Sequence, residues 1–175
     1  MEGRIRRFFV LAGPPGAGKT TVLAELQSHV TCVSEPARRV LASERARGGQ
    51  GTGDQDQALF VRLMLDMAVA DYQQARGSTI FDRGIPDLLA FCHHYGFSKR
   101  RVLSEVRKRR YDPWVFWFPP WRAIYTKDDE RLLEYRGAIG FARRIKNAYA
   151  SAGYRLITVP KATPKARASF ILNRL

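Results

Sequence analysis

Cysteine is scarce in this chain. Only Cys32 and Cys92 occur in 175 residues, which gives neither a disulfide framework nor metal-ligand spacing. The pair reads as two buried thiols in a reducing cytoplasm. No apolar run approaches the roughly 20 residues of a membrane span, so no membrane partner is expected. Met1 to Arg7 is charged and leads straight into an apolar segment without a small-residue cleavage site, which predicts no signal peptide. Internal repeats and low-complexity tracts are also missing. His93 and His94 sit late in a helical segment without metal-ligand partners and read as surface or half-buried residues.

Acidic residues are in short supply as well. Sixteen Asp and Glu face 30 Lys and Arg, a formal charge of +14. Such an excess attracts polyanions, and it also suits a protein that handles several phosphates at once. Much of it lies in Lys99–Arg101, Arg107–Arg110 and Arg143–Lys146. Each group reads as a solvated helix face, a surface for substrate phosphates or a nucleic-acid surface. No aromatic-rich module or basic tail accompanies them, so nucleic acid is possible but not favoured as a partner.

The rest of the composition is that of an ordinary globular protein, 45% apolar and 26% charged. The length suits one domain, residues 1–175, with a genuine core. Arg7–Ala12 is an apolar run that ends in a Gly/Pro cluster and reads as a buried strand, followed by a helix over Lys19–Val30. Thr31–Ser34 is a second strand stopped by Glu35-Pro36, and Ala37–Arg47 is helical. Gly48–Gly53 is a loop. A long helix opened by Asp54 or Asp56 carries Phe60, Leu63, Met64 and Met67 on one stripe. Thr79–Phe81 is the third strand, and helices over Pro86–Tyr95 and Ser98–Arg109 follow it. Trp114–Phe118 is the fourth, closed by Pro119-Pro120. Trp121–Gly137 is polar and irregular, a mobile segment expected to serve as a lid. It leads into a helix with Ala138, Ala142, Ile145 and Tyr149 on one face. Tyr154–Val159 is the last strand, and Thr163–Leu175 is the closing helix. Strands alternating with amphipathic helices predict an α/β fold, a parallel sheet with helices on both faces. Ligands of such sheets lie beyond the carboxyl ends of the strands.

The chemically interesting residues fall at those strand ends. Gly13, Pro14, Pro15, Gly16, Ala17, Gly18, Lys19 and Thr20 match G-x-x-x-x-G-K-[ST] in full, with Thr21 beside them. The glycines let successive N–H groups point at phosphate oxygens, and the helix behind offers its positive end. Lys19 is expected to reach the β- and γ-phosphates of ATP or GTP from a solvent-filled cradle, and the Thr20 hydroxyl to ligate Mg²⁺. Asp82, at the end of the third strand, either holds the Mg²⁺ shell or caps the helix near Pro86. Arg83 beside it would neutralise charge on a moving phosphoryl group. Glu35 could take a proton from an acceptor hydroxyl, touch the Mg²⁺ shell, or pair with Arg38 or Arg39. Arg38 and Arg39 open a helix, where cations are unfavourable unless an anion binds nearby. Arg122, Lys127, Arg131, Arg136 and Arg143 read as lid cations over a phosphate site or as a solvated basic loop.

With these residues in place, the chain resembles the NadR-like predicted ATPases of the AAA-type P-loop group, relatives of nucleoside and nucleoside-monophosphate kinases. The resemblance rests on GPPGAGKTT at 13–21, SEPARRVL at 34–41 and FDRGIPDLLAF at 81–91. Further support comes from PPWRAIYTKDDER at 119–131, AYASAGYRLITVP at 148–160 and RASFIL at 167–172. It implies a three-layer P-loop NTPase fold with a parallel five-stranded sheet, Mg-NTP binding and a lid after the fourth strand. It also implies transfer of the γ-phosphate to a small hydroxyl or phosphate acceptor, nucleoside-like or another metabolite or antibiotic. On it Glu35 and Arg38 match the family's second-strand pair, Asp82 and Arg83 its D-R pair, and Arg131 its lid arginine. The chain departs from the family at Leu132–Gly140, glycine-broken and basic where an acidic helix-forming stretch is expected. A polynucleotide-directed kinase and a non-catalytic nucleotide switch are the alternatives.

Overall fold

A computed structural model describes residues 7–126 and 135–175. Five parallel strands form one sheet in the order β2-β3-β1-β4-β5. They are β1 (Phe8–Ala12), β2 (Thr31–Val33), β3 (Thr79–Asp82), β4 (Trp114–Trp117) and β5 (Arg155–Thr158). Every residue of β1 and β3 is buried. That explains their unbroken apolar spelling, since a central parallel strand is covered on both faces.

The alternation along β1 separates two cores. Phe8, Val10 and Ala12 face one of them, and Phe9 and Leu11 face the other. The first is covered by α2 (Pro36–Arg47), α3 (Gln57–Gln74), α4 (Asp87–Tyr95), α5 (Arg100–Lys108) and α6 (Tyr135–Ser151). The second lies under α1 (Lys19–Leu26) and α7 (Pro164–Leu172). The three-layer α/β architecture expected from the alternating pattern is therefore present, with the five strands that the resemblance implied.

The helix boundaries have local causes. Asp56, rather than Asp54, caps α3, accepting a hydrogen bond from the Leu59 backbone N–H at 2.9 Å. Phe60 and Met64 of its stripe are buried, and Leu63 and Met67 pack against them half-buried. Thr163 caps α7 through Ala166 N–H, with Pro164 in its first turn.

The segment expected to be irregular through Gly137 differs from that expectation. Arg122–Ile124 is a short 3₁₀ turn, and α6 already begins at Tyr135, so Gly137 and Gly140 are helical. The buried stripe Ala138, Phe141, Ala142, Ile145 and Tyr149 outweighs the ~1 kcal/mol that each helical glycine costs. Lys127 and Arg131 lie outside the described residues.

Candidate active site

All five strands run parallel, so their carboxyl ends share one edge. The phosphate loop follows β1, Glu35 follows β2, and Asp82-Arg83 closes β3. Strand β1 is the middle of the five, which sets the phosphate loop between two flanks. On one flank stand the loops after β2 and β3, and on the other those after β4 and β5. A cavity of about 820 Å³ runs along this edge. Lys19, Thr20, Glu35 and Arg83 line it. Its lining also includes Trp121, Ile124, Thr163 and Arg167 from the β4 and β5 side, and Leu41, Phe60, Phe91, Tyr95 and Phe141 from α2, α3, α4 and α6.

The loop geometry requires its glycines. Gly16 and Gly18 take left-handed φ of 77° and 82°, and a Cβ on Gly16 would come within 2.5 Å of the Tyr125 ring. Gly13 lies close against the residue that follows β4, where a Cβ would meet Phe118 O at 2.4 Å. Lys19, expected to end in a solvent-filled cradle, is instead 5% exposed. Its Nζ donates to the carbonyls of Gly13 at 3.1 Å and Pro14 at 2.9 Å. Burial, with Arg83 nearby, pulls its pKa down to about 8. The carbonyls of its own loop occupy the ammonium where phosphate oxygens would satisfy it better.

Asp82 is 1% exposed and does not cap the following helix. Its Oδ2 lies 3.5 Å from Thr20 Oγ1, and its Oδ1 is buried without a hydrogen-bond partner. Burial, with Glu35 and Asp87 adding repulsion, raises its pKa to about 6 against the pull of Lys19 and Arg83. An orphaned carboxylate oxygen beside an exposed threonine hydroxyl fits a hard cation such as Mg²⁺, which takes few protein oxygens and completes its shell with phosphate and water. Among the described residues no group of three or more His, Cys, Asp or Glu could hold a metal by itself. His93 and His94 of α4 are exposed, as expected of surface residues.

Glu35 stands at the N-terminal end of α2, held by Pro36 in the first turn. Its Oε1 accepts from Arg83 Nε at 2.6 Å, and its Oε2 lies 3.7 Å from Arg38 Nε. Burial alone would raise its pKa, but Arg83, Lys19 and Arg38 together hold it below the ordinary glutamate range. Glu35 is thus ionised at neutral pH. Arg39 turns away to pair with Asp71 of α3 at 2.6 Å. Arg83 is buried, the one residue other than glycine with positive φ among the described residues, at 75°. Its Nη1 donates to Gly13 O at 2.9 Å and to Asp87 Oδ1 at 3.0 Å, so it ties three strand ends together.

The structure brings Lys19, Thr20, Glu35, Arg38 and Arg83 to one cavity, with Asp82 buried just behind Thr20. It also adds residues that the sequence reading assigned no role. Arg167 of α7 is buried and donates from Nη2 to Ala17 O at 3.0 Å. Its guanidinium lies over Phe118, 4.4 Å from the ring centroid, and burial lowers its pKa. The available signal was an arginine inside the otherwise apolar run ARASFIL. Asp87 and Tyr149 join the same buried network behind Arg83.

A family model described as AAA domain matches residues 8–167. The chain belongs to that AAA-domain family. Solved relatives share its fold. NadR in complex with NR superposes with a TM-score of 0.72 at 17% identity, covering 97% of this chain and 51% of that one. The chain thus spans about half the length of NadR. Deoxyadenosine kinase from M. mycoides, bound to products, gives 0.64 at 14% identity over 95% and 97% of the two chains. Thymidylate kinase from Ehrlichia chaffeensis gives 0.60 at 15% identity over 98% of each. No curated protein matches by sequence. A P-loop family member with this strand order has a nucleotide-binding, kinase-like fold, and none of its described helices is long and apolar enough to cross a membrane.

Proposed function

We propose that this AAA-domain protein is a Mg-dependent phosphotransferase that moves the γ-phosphate of ATP or GTP to a hydroxyl of a small, nucleoside-like acceptor in the cytoplasm. The observation that carries the reading is one cavity lined by Lys19 and Glu35 together with residues from both flanks of the phosphate loop. A hydrolase or a switch needs room for the nucleotide alone. A transferase needs room for an acceptor as well, and this cavity is also lined by Phe60, Phe91, Tyr95 and Phe141, rings suited to a flat apolar ligand. The solved relatives add support from their bound molecules: NadR with NR, or with NAD and AMP-PNP, and deoxyadenosine kinase with its nucleotide products.

In this mechanism the loop N–H groups of residues 13–21 and the α1 N-terminus bind the phosphates, and Lys19 leaves its loop carbonyls for them. Thr20 and Asp82 would hold Mg²⁺, which would supply charge neutralisation on the phosphate oxygens. Glu35 accepts the proton of the acceptor hydroxyl as its oxygen bonds to the γ-phosphorus. The bond from that phosphorus to the bridging oxygen breaks, and the nucleoside diphosphate leaves with the electron pair. Arg38 and Arg83 line the transfer point, and Arg131, on the resemblance, supplies a further cation. The charge of +14 keeps a polynucleotide acceptor as the competing reading.

The nucleotide half is tested by thermal melting. A ligand that binds only the folded state adds RT ln(1 + [L]/Kd), about 2.7 kcal/mol at a hundred times Kd. Mg-ATP or Mg-GTP should raise Tm in this concentration-dependent way, and Thr20→Ala or chelation should shrink the shift. No shift with any nucleoside triphosphate would remove the reading.

A further inference from the structure

Behind Glu35 lies a chain of buried polar groups that the phosphate chemistry does not require. Arg83 Nε holds Glu35 Oε1, and Arg83 Nη1 holds Asp87 Oδ1 at 3.0 Å. Asp87 Oδ2 accepts from Gly84 N–H at 3.0 Å and from the Tyr149 hydroxyl. Tyr149 is fully buried on α6, where its ring meets Tyr154 edge-on at 5.6 Å. Asp87 sits in the first turn of α4, where the helix dipole favours a carboxylate. The route therefore runs from α6 through α4 and the end of β3 to the carboxylate after β2.

Stability is a poor reason to keep such a chain. A buried ion network costs desolvation that apolar side chains of similar volume avoid. The backbone pays as well, because a left-handed φ at a bulky side chain is strained. What the arrangement does achieve is direction. With φ at 75°, Arg83 spans Asp87 and Glu35 at once, and its contact with Gly13 O sets both against the phosphate loop.

We infer that Asp87 and Tyr149 are positioning residues for the base, acting through Arg83, so that Oε1 of Glu35 is committed and Oε2 is the oxygen that receives the acceptor's proton. The inference rests on Glu35 being the base, but its geometric half does not. Tyr149 fixes the orientation of the Asp87 carboxylate, Asp87 fixes the Arg83 fork, and the fork fixes Glu35. Removing either anchor frees the fork to rotate while leaving Lys19, Thr20 and the phosphate loop in place.

The test uses the full-length ¹⁵N-labelled protein and two readouts. The first is hydrogen exchange of the Arg83 Nε–H, assigned by its loss in Arg83→Lys. Losing one hydrogen bond to a charged partner should speed this exchange roughly tenfold in Asp87→Asn and in the milder Tyr149→Phe. The second is phosphotransfer from Mg-ATP to a panel of nucleosides. Turnover should fall in both variants, less than in Glu35→Gln, while acceptor KM and nucleotide Kd stay within about threefold of wild type. Wild-type exchange in both variants overturns the inference whatever the activity. Faster exchange with undiminished turnover overturns it too. If the wild type transfers to no acceptor, the function reading fails, and the exchange rates still decide whether Asp87 and Tyr149 hold Arg83.

Discussion

At the scale of single residues, the account depends most on Glu35 and Asp82, two carboxylates that the surroundings drive in opposite directions. Glu35 is held ionised by Arg83, Lys19 and Arg38 against its burial. Glu35→Gln keeps the shape and removes the proton acceptor, so turnover should fall roughly 10²- to 10⁴-fold, the usual share of general base catalysis. Nucleotide Kd should stay within a few-fold. A fall in Tm with turnover intact would make Glu35 only a partner of Arg83. Asp82 has its pKa raised to about 6, chiefly by burial. A raised folded pKa means that its contribution to stability is present in full below the unfolded value near 4 and is lost as pH rises through about 6. Asp82→Asn should therefore raise the apo Tm at pH 7.5, and the gain should vanish near pH 4. The same variant should lose the magnesium-dependent part of the nucleotide shift. A lowered apo Tm at pH 7.5 would contradict the orphaned carboxylate seen here. Lys19 could be named from sequence by the phosphate-loop motif, and Glu35 and Asp82 because each stands within two residues of a strand end. Asp87 with Tyr149, 62 positions apart, and Arg167 with Ala17, 150 apart, meet only through packing.

At the scale of elements, the central strands were legible because two-sided burial spells them as unbroken apolar runs, as in Phe8–Ala12. The Met-bearing stripe of α3 was legible for the same kind of reason. The start of α6 was not, because Gly137 and Gly140 signal a break while Ala138, Phe141 and Ala142 signal a buried face, and burial wins. The order of the strands across the sheet carries no local signal at all. The phosphate loop is the element whose sequence and geometry agree most closely. Gly16 holds φ at 77° beneath the Tyr125 ring. Gly16→Ala places an L-residue where the left-handed conformation costs roughly 1–2 kcal/mol, and the ring must also move. Circular dichroism melts should show that loss, and equilibrium binding should show Mg-ATP affinity falling by at least a similar factor. A variant with unchanged Tm and unchanged affinity would mean that the loop is not held as described.

At the scale of the whole molecule, the charge of +14 and the partly aromatic cavity favour different partners. Many of the cations are spoken for locally. Arg101 pairs with Asp66 at 2.7 Å and Arg39 with Asp71 at 2.6 Å. Binding to DNA or RNA should accordingly be sequence-blind and lose affinity steeply along log salt, as counterion release dictates. Fluorescence anisotropy between low and physiological salt would check this, and tight binding that survives would favour the polynucleotide reading. The most direct measurement of the central claim is transfer of ³²P from γ-labelled Mg-ATP and Mg-GTP to a panel of nucleosides, other small hydroxylated metabolites and antibiotics, and an oligonucleotide end. The account predicts a labelled small-molecule product, formed well above acceptor-free hydrolysis and lost in Glu35→Gln. Label released only as inorganic phosphate at a rate no acceptor changes, or appearing only on the oligonucleotide, would contradict it.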